Sequence, residues 1–342
     1  MTGAAALLDR LAPAARERVL KEYVEQLLTG RTAENPHPGT ADILSLPAHD
    51  RTLGAIIDGM SKGGMTNAEL PMYSRELLSQ VLDPALISLS KAYPTPSHRA
   101  FCSVQQVANY KRQSFIGGFD ALTVGPLNEL SEIPVTNSAA ISFELERGAV
   151  SQYGRVLRIP RTDITNDGSG AFFRSAGNAL TAAAFRNEAT EVYSLLESGA
   201  NLRDGQPWFD ASNSTTQPSE LGALEKGVET FAEQQYPNGE FVDNVPASWV
   251  IRISDSLVDL ALHLGKLTII RTGRVQSGYL FANPAAHPAL VLAGLNADLQ
   301  PELTVNTKPK MNLDIGLELR VLHDFAAIPV SRLGVVKMSV TA

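Results

Sequence analysis

The stretch from Tyr153 to Gly205 constrains the fold more than any other part of this chain. A strand-like segment leads into an Asn-Asp-Gly turn at residues 166–168, and a long alanine-rich segment follows the turn. Alanine has the highest helix propensity, and Ser198-Gly199 supplies a C-terminal stop signal. Apolar side chains recur at i, i+4, i+7 and i+11, as on one helical face: Phe185, Ala189, Val192 and Leu196. The sequence therefore predicts a helix over residues 171–198, which at 1.5 Å per residue would be roughly 40 Å long.

The composition is that of an ordinary globular protein. Hydrophobic residues make up 44% and charged residues 19% of the 342 residues, so extensive disorder is not expected. A chain of this length forms about two domain-sized units or one elaborated fold. The net charge of −7 argues against a dedicated nucleic-acid binder, because such proteins usually present a basic surface.

Cysteine content and hydropathy indicate the cellular compartment in which the chain folds. Cys102 is the single cysteine, which excludes an intrachain disulfide and fits a reducing cytosol. We interpret Cys102 as a small buried hydrophobe rather than a reactive thiol. The N-terminus lacks a basic start followed by an apolar run, so we do not expect a secretory signal. Apolar stretches such as residues 289–295 are far shorter than the ~20 residues of a membrane helix, so no membrane partner is expected.

Two helical segments are predicted in the first third of the chain. Residues 4–28 carry apolar side chains at helical spacing, and Pro13 marks a kink or a new start within them. A linker rich in proline, glycine and asparagine is predicted at residues 31–42. A second helical stretch spans residues 66–92, and Pro84 inside it predicts two helices or a kink. The first helix is either an extended arm or a helix that packs on the main body.

Period-two alternation predicts β structure in two regions. Within residues 119–161, apolar side chains alternate with polar ones, Gly148 marks a turn, and residues 156–159 form the return strand. Taken alone, this pattern indicates an ordinary surface hairpin. In the tail, residues 305–342, apolar side chains from Leu313 to Val321 alternate strictly with other residues.

Residues 206–300 predict a compact α/β block. A helix is expected over residues 219–234, and its spacing places four apolar side chains inward: Leu221, Leu224, Val228 and Phe231. A second helix over residues 254–264 would begin at Ser254, a good N-cap residue. Strands are expected at residues 247–253, 268–270 and 279–282.

The central stretch resembles the centre of tailed-phage major capsid proteins, specifically their Mu-like branch. In that family a YG…ISR…INDD…AF run leads into a long spine helix, and a VYxLL…N…DG…F run follows. Up to the helix start, the matching residues are Tyr153, Gly154, Ile159, Arg161, Ile164, Asn166, Asp167, Ala171 and Phe172. From its end onward they are Val192, Tyr193, Leu195, Leu196, Asp204, Gly205 and Phe209. Residues 320–330, RVLHDFAAIPV, also resemble a strand of the family, and the resemblance covers roughly residues 65–342.

The resemblance implies an α+β fold of the Hong-Kong-type phage capsid class. It divides the chain into six expected parts. The first three are an N-terminal helix and linker acting as an arm or scaffold-like extension (1–65), N-arm helices leading into a peripheral domain (66–118) and an extended hairpin called the E-loop (119–161). The last three are the spine-helix region of the peripheral domain (162–205), an axial α/β domain (206–300) and return strands of the peripheral domain (301–342).

A structural function follows from the same resemblance. Copies of the chain would assemble into pentamers and hexamers of an icosahedral head shell that encloses double-stranded DNA. The expected partners are further copies, a portal protein, a scaffold, prohead protease or decoration protein, and non-specifically the packaged DNA. The expected location is the virion head, after assembly in the host bacterial cytoplasm. The alternatives are an encapsulin-like nanocompartment shell and an α/β enzyme with an unrecognised site.

Sequence motifs of catalysis are absent. The chain has no phosphate-binding loop, dinucleotide fingerprint, nucleophile elbow or zinc-binding histidine motif. His323 and Asp324 are strand neighbours whose side chains would point to opposite faces, and Asn166-Asp167-Gly168 fits a turn and helix cap better than a cation site. No two of the six histidines lie within four residues of each other: His37, His49, His98, His263, His287 and His323. We therefore predict no enzymatic activity, catalytic residue, cofactor or metal.

Lysine distribution bears on shell chemistry. In some shells of this fold, a lysine on the E-loop forms an isopeptide bond with an asparagine of a neighbouring subunit. No lysine lies between Lys111 and Lys226 in this chain. The expected E-loop therefore has no amine for such a bond, and the shell would be held by buried area, loop overlap or a cementing protein.

Overall fold

The computed structural model describes residues 7–8, 10–11, 13–29, 35–46, 82–119, 143–160, 163, 171–236, 239–242, 246–252, 267–306 and 315–341. The chain divides into two compact units, and each is described by itself. The first unit comprises residues 1–94, 152–185 and 300–323, and the second comprises residues 95–151, 186–299 and 324–342.

The described residues combine helices and sheets, so the predicted α+β class is confirmed. The α-helices are α1 (Pro13–Thr29), α2 (Pro38–Ser45), α3 (residues 82–91), α4 (Ala171–Glu197) and α5 (Glu220–Ala232), with a short 3₁₀-helix at Ser97–Phe101. The strands are β1 (Ser103–Gln106), β2 (Gln113–Phe119), β3 (Phe143–Gly148), β4 (Ser151–Pro160), β5 (Ser214–Gln217), β6 (Ser248–Arg252), β7 (Thr268–Thr272), β8 (Gly278–Phe281), β9 (Leu290–Gly294), β10 (Glu302–Asn306), β11 (Ile315–Pro329) and β12 (Val335–Val340).

Helix α1 begins at Pro13, inside the segment for which a helix over residues 4–28 is predicted. Proline lacks a backbone N–H, and its fixed φ suits the first position of a helix. Pro13 is therefore the start of a new helix, one of the two outcomes that the sequence left open. Val19 and Tyr23 on this helix are completely buried, which confirms its apolar face.

Helix α2 overlaps the linker predicted at residues 31–42, so that prediction is wrong from Pro38 onward. Two side chains cap the helix. His37 Nδ1 accepts a hydrogen bond from Gly39 N at 3.1 Å, and Glu22 Oε2 accepts one from His37 N at 2.7 Å. Such caps satisfy N–H groups that a helix start leaves without partners. The Glu22 contact comes from another helix, which local sequence does not reveal.

The core of the first unit lies between its helices and the strands β4, β10 and β11. Strand β10 pairs antiparallel with residues 318–322 of β11, and β4 also pairs with β11. A Cβ added at Gly177 of α4 would lie 2.7 Å from Leu89 Cδ2, so glycine permits close packing of α3 on α4. Buried members of this core include Tyr23, Ile43, Leu82, Phe173, Leu303 and Leu319.

The main sheet of the second unit has the strand order β5-β12-β8-β6-β7. Strand β12 runs parallel to β5 and antiparallel to β8, whereas β6 runs antiparallel to β8 and parallel to β7. The final strand of the chain thus lies inside the sheet built from the 206–300 block. The resemblance had placed all of residues 301–342 with the peripheral domain, and the pairing of β12 differs from that expectation.

Helix α5 packs on one face of this sheet, and Ser219 caps it by accepting a hydrogen bond from Gly222 N at 3.1 Å. Leu224 and Phe231 are buried as predicted, but Leu221 and Val228 are 41% and 37% exposed, so those two inward positions are wrong. A Cβ at Gly227 would overlap the Met338 side chain of β12, so glycine faces the sheet at this position of α5, together with Leu224 and Phe231.

The second unit also contains a three-strand arrangement and a two-stranded ribbon. Strand β1 runs parallel to β9, and β9 runs antiparallel to residues 325–329 of β11. Strands β2 and β3 form the ribbon, pairing antiparallel from Gln113↔Gly148 to Phe119↔Phe143.

The hairpin predicted within residues 119–161 has the wrong pairing. Strand β3 pairs with the earlier strand β2, and the supposed return strand lies in β4, which pairs with β11. Gly148 is not a hairpin turn. A Cβ there would overlap Ile328, and the following Val150 is buried in the same apolar cluster as Ile328. The chain therefore turns into the core after Gly148 instead of reversing along β3.

Several predictions fall on residues outside the described part of the chain. These are the helix at residues 254–264, the turn at residues 166–168 and residues 66–81 of the second helical stretch. Within the ranges that the structure describes, no helix has both the length and the apolar content to cross a bilayer.

Gly294 in β9 provides a test of the packing in the second unit. A Cβ there would overlap Leu299 and lie 2.9 Å from the carbonyl oxygen of Asp324. Gly294→Ala is expected to lower the free energy of unfolding by about 1–3 kcal/mol, because overpacking a rigid site costs that much. Gly273→Ala is the control, since a Cβ there meets nothing within 4 Å. Urea denaturation of unassembled protein measures both variants, and equal midpoints would contradict the packing described.

Candidate functional site

Glu188 lies on the buried side of α4, and its side chain is fully shielded from solvent. The 3₁₀-helix brings two partners to it. Glu188 Oε1 accepts hydrogen bonds from His98 Nε2 and from Arg99 Nε, each at 2.7 Å. Glu188 Oε2 accepts a third hydrogen bond from Arg99 Nη2 at 2.7 Å. These three residues are called the Glu188 cluster below.

The Arg99 guanidinium extends the cluster to the loop that follows β9. It donates to the carbonyl oxygens of Asp298 at 3.1 Å and Leu299 at 2.7 Å. A bidentate arginine–carboxylate pair is among the stronger hydrogen-bonded contacts in proteins. The cluster therefore fixes three segments of the second unit against one another: the 3₁₀-helix, the second half of α4 and the 298–299 loop.

Cys102 and Tyr193 surround the cluster without adding a reactive group. The Cys102 thiol donates to the carbonyl oxygen of His98 at 3.1 Å. Burial raises the pKa of the Cys102 thiol well above its ordinary value, and the Glu188 carboxylate raises it further. Burial also raises the pKa of Tyr193. The thiol is therefore not a nucleophile at neutral pH, which agrees with its interpretation as a buried hydrophobe.

The loop after α4 carries the Asp204-Gly205 pair of the capsid-like motif. Gly205 has φ +80°, a left-handed conformation that favours glycine. Arg332 donates to both carboxylate oxygens of Asp204, at 2.7 Å and 3.0 Å, and its hydrogen bonds lower the pKa of Asp204. Trp208 Nε1 donates to the carbonyl oxygen of Ser331 at 2.8 Å. The motif thus joins this loop to the segment before β12.

The C-terminal end of α4 is held by the β7–β8 region. Glu197 Oε1 accepts hydrogen bonds from Gln276 N at 2.7 Å and Ser277 N at 3.2 Å. The Tyr279 hydroxyl donates to the carbonyl oxygen of Leu196 at 3.0 Å. Gly199, with φ +64°, ends the helix as the sequence predicts. Every contact in this region supports a fixed helix end.

The remaining residues singled out in the sequence occupy separate places. His37 caps α2, His323 is buried on β11, and burial lowers the pKa of the half-buried His287. His49, His263 and the Asn166-Asp167-Gly168 turn lie outside the described residues. Over the described ranges, no three histidine, cysteine, aspartate or glutamate side chains are grouped so as to hold a metal ion.

Sequence reasoning did not identify the Glu188 cluster, although a signal was present. Glu188 lies three residues after Phe185 and four before Val192, so it occupies the apolar face of the predicted helix. A carboxylate on a buried face requires a cationic or hydrogen-bonding partner. The partner residues, His98 and Arg99, are about ninety positions earlier in the chain, and their proximity depends on the tertiary fold.

The base of the β2–β3 ribbon is anchored to the same unit. Glu146 Oε1 accepts a hydrogen bond from Arg203 N at 2.8 Å. Phe115 on β2 is buried with Val107, Val150 and Ile328. The ribbon therefore emerges from a fixed base.

Glu188→Ala tests whether the cluster supports the fold. The variant leaves the Arg99 guanidinium without its carboxylate in a buried site, which is expected to cost about 3–5 kcal/mol of unfolding free energy. Glu191→Ala, at an exposed position of the same helix, is the matched control and is expected to change stability by less than about 0.5 kcal/mol. Chemical denaturation of both variants gives the comparison, and similar losses would show that the cluster contributes little.

Comparison with known proteins gives one family match. The model of the phage capsid protein family matches residues 144–338, which include β3, β4, α4, α5 and most of β12. No curated protein sequence matches this chain significantly.

Solved structures with a similar arrangement include the virus-like particle from Pyrococcus furiosus, with 13% identity, 77% of this chain and 99% of that chain covered, and a TM-score of 0.46. The bacteriophage JBD30 capsid aligns with 12% identity over 72% of this chain and 65% of that chain, at a TM-score of 0.41. The capsid of Ralstonia phage GP4 aligns with 13% identity over 72% of this chain and 89% of that chain, at a TM-score of 0.44. The assignment rests on the family model, which spans more than half of the chain: this protein belongs to the phage capsid protein family and is a structural protein of the capsid shell.

Proposed function

We propose that this chain is the major capsid protein of a Mu-like tailed phage and forms an icosahedral head shell of pentamers and hexamers around double-stranded DNA. The observation that carries the proposal is the family match over residues 144–338, since it includes the long helix and the sheet packed by α5. A structural protein of this kind needs no catalytic group.

The long helix α4 is suited to act as a beam of the subunit. Its 27 residues would extend roughly 40 Å at 1.5 Å per residue. Buried Glu188 fixes its second half, and Glu197 and Leu196 fix its C-terminal end. A stiff beam keeps the subunit constant while extensions adjust to five-fold and six-fold surroundings.

We propose that the β2–β3 ribbon belongs to the E-loop. Its strands cover Gln113–Phe119 and Phe143–Gly148, so the E-loop is proposed to run from residue 113 to residue 148 instead of 119–161. The ribbon base is held by Glu146 and by the buried Phe115. Residues 1–65 are proposed as an arm or scaffold-like extension, and the axial role is assigned to the five-stranded sheet with α5.

The proposed partners follow from the role in the head. Copies of this chain form the lattice, and a portal protein, a scaffold, a prohead protease or a decoration protein completes it during assembly in the host bacterial cytoplasm. Packaged DNA would contact the inner wall without sequence preference. The net charge of −7 would weaken that contact and let DNA slide, because like charges repel.

Assembly of the purified protein tests the proposed function. Negative-stain electron microscopy of the chain expressed alone is expected to reveal closed shells or five- and six-membered rings. Co-expression with a phage scaffold protein is the second arm, because some shells require a scaffold. A chain that stays monomeric at high concentration in both arms would contradict the proposal.

The covalent state of assembled particles provides a separate test. Since no lysine lies between Lys111 and Lys226, the ribbon cannot donate an amine for an isopeptide bond. Particles boiled in detergent are expected to give a single band near 36.7 kDa on a denaturing gel. A ladder of larger bands would mean that subunits are joined covalently through another lysine.

A further inference from the structure

The five-stranded sheet of the second unit ends in two strands, β5 and β7, and each has one partner strand among the described residues. In the β5–β12 ladder, Lys337 N donates to Asn213 O and Thr341 N donates to Gln217 O. In a parallel ladder, the residues that bond the partner alternate with residues whose backbone groups face the other side. The N–H and C=O groups of Thr216 therefore face away from β12.

Strand β7 has the same property at the opposite end of the sheet. Thr268 N donates to Ala247 O, and the register continues from Ser248↔Thr268 to Arg252↔Thr272. The backbone N–H and C=O groups of Arg271 therefore face away from β6. Its side chain is exposed.

A groove of about 550 Å³ lies beside β5. Its walls include Thr215 and Thr216 of β5, Lys226 and Thr230 of α5, and Glu233. Thr215 is only 8% exposed, and its hydroxyl oxygen has no hydrogen-bond partner among the residues that the structure describes. Buried hydroxyls are nearly always paired with protein or ordered water, so this one is available to a further group that enters the groove.

Several exposed side chains near the two ends of the sheet differ in the sign of their charge. Glu225, Glu229 and Glu233 are exposed on α5 and at its C-terminus, and Lys226 is already paired with Glu229 at 2.9 Å. The β6–β7 end exposes Arg252, Arg271 and Arg274. Complementary potentials of this kind select partners and orientation.

Arg271 lies on the side of the sheet that α5 covers. It pairs in register with Ile251, and Ile251 is buried in the core beneath α5. Paired residues of a ladder share a face. Thr215 pairs with Met338, which belongs to the same core. The groove and the Arg271 side chain are therefore on equivalent faces.

We infer that β7 of one copy of this chain adds to β5 of the next copy, so that one sheet continues from subunit to subunit. Strands β5 and β7 run in the same direction within the sheet, so the added strand is parallel to β5 in a head-to-tail contact. Arg271 of one copy then meets Glu233 in the groove of the next, and the Thr215 hydroxyl gains a partner. Head-to-tail contacts form rings when the rotation between copies closes, and this inference rests on the proposed shell function.

Proline substitution separates the contact from the fold. Thr216→Pro removes the outward N–H, a change that edge strands tolerate, and is expected to abolish rings and shells while thermal unfolding of the free subunit stays near that of the wild type. Thr216→Ala keeps the N–H and is expected to assemble like the wild type. A folded Thr216→Pro protein that assembles normally would overturn the inference.

Charge exchange tests the other half of the contact. Arg271→Glu and Glu233→Arg are each expected to reduce particle yield, and the double variant is expected to restore it. A double variant no better than either single variant would count against the pairing.

If Thr216→Pro fails to fold, amide hydrogen exchange on the wild-type protein tests whether β7 contacts β5 of the next copy. The amides of Thr216 and Arg271 are expected to become protected on assembly, and unchanged exchange there would overturn the inference. Shells that form without these effects contradict the contact alone. A wild-type chain that never assembles contradicts both the contact and the shell function.

Discussion

The second unit depends on the pairing of one carboxylate that is buried on the side of a long helix. Glu188 must be paired where it lies, and Arg99 and His98 supply three hydrogen bonds at 2.7 Å. Arg99 then ties in the 298–299 loop, while Glu197 and Asp204 connect the helix end and the following loop to β8 and to the segment before β12. A series of charged contacts thus holds the C-terminal half of α4 against the five-stranded sheet of the second unit.

The sequence predicted what local patterns encode. Apolar spacing and alanine content predicted the C-terminal end of α4 to within one residue, and Gly199 follows that end as expected. The β3–β4 hairpin, the inward positions of Leu221 and Val228, and the linker at Pro38 were wrong. Each error depends on a distant contact: Ile328 against Gly148, Met338 against Gly227, and Glu22 at the start of α2. The Glu188 cluster was not predicted for the same reason, because its members are distant in the sequence.

In the described part of the chain, β5 and β7 each have one partner strand. Such edges are a hazard for a monomer, because unpaired strands invite association. For a shell protein the same property is useful. Exposed glutamates lie near β5 and exposed arginines near β7, and the groove beside β5 contains a buried hydroxyl that has no partner among the described residues. The core under α5 lies on one face of the sheet, and the proposed contact uses the edges. Folding and assembly then use different surfaces of the same layer.

The most direct measurement of the central claim is a cryo-electron microscopy map of particles assembled from this chain, at a resolution that reveals side chains. The account predicts a closed shell in which every copy keeps the Glu188–Arg99 pair and places β7 beside β5 of a neighbour. A closed shell with the two edges far apart would contradict the proposed contact. Particles in which α4 is broken near Glu188 would contradict the view of that helix as the fixed beam of a capsid subunit.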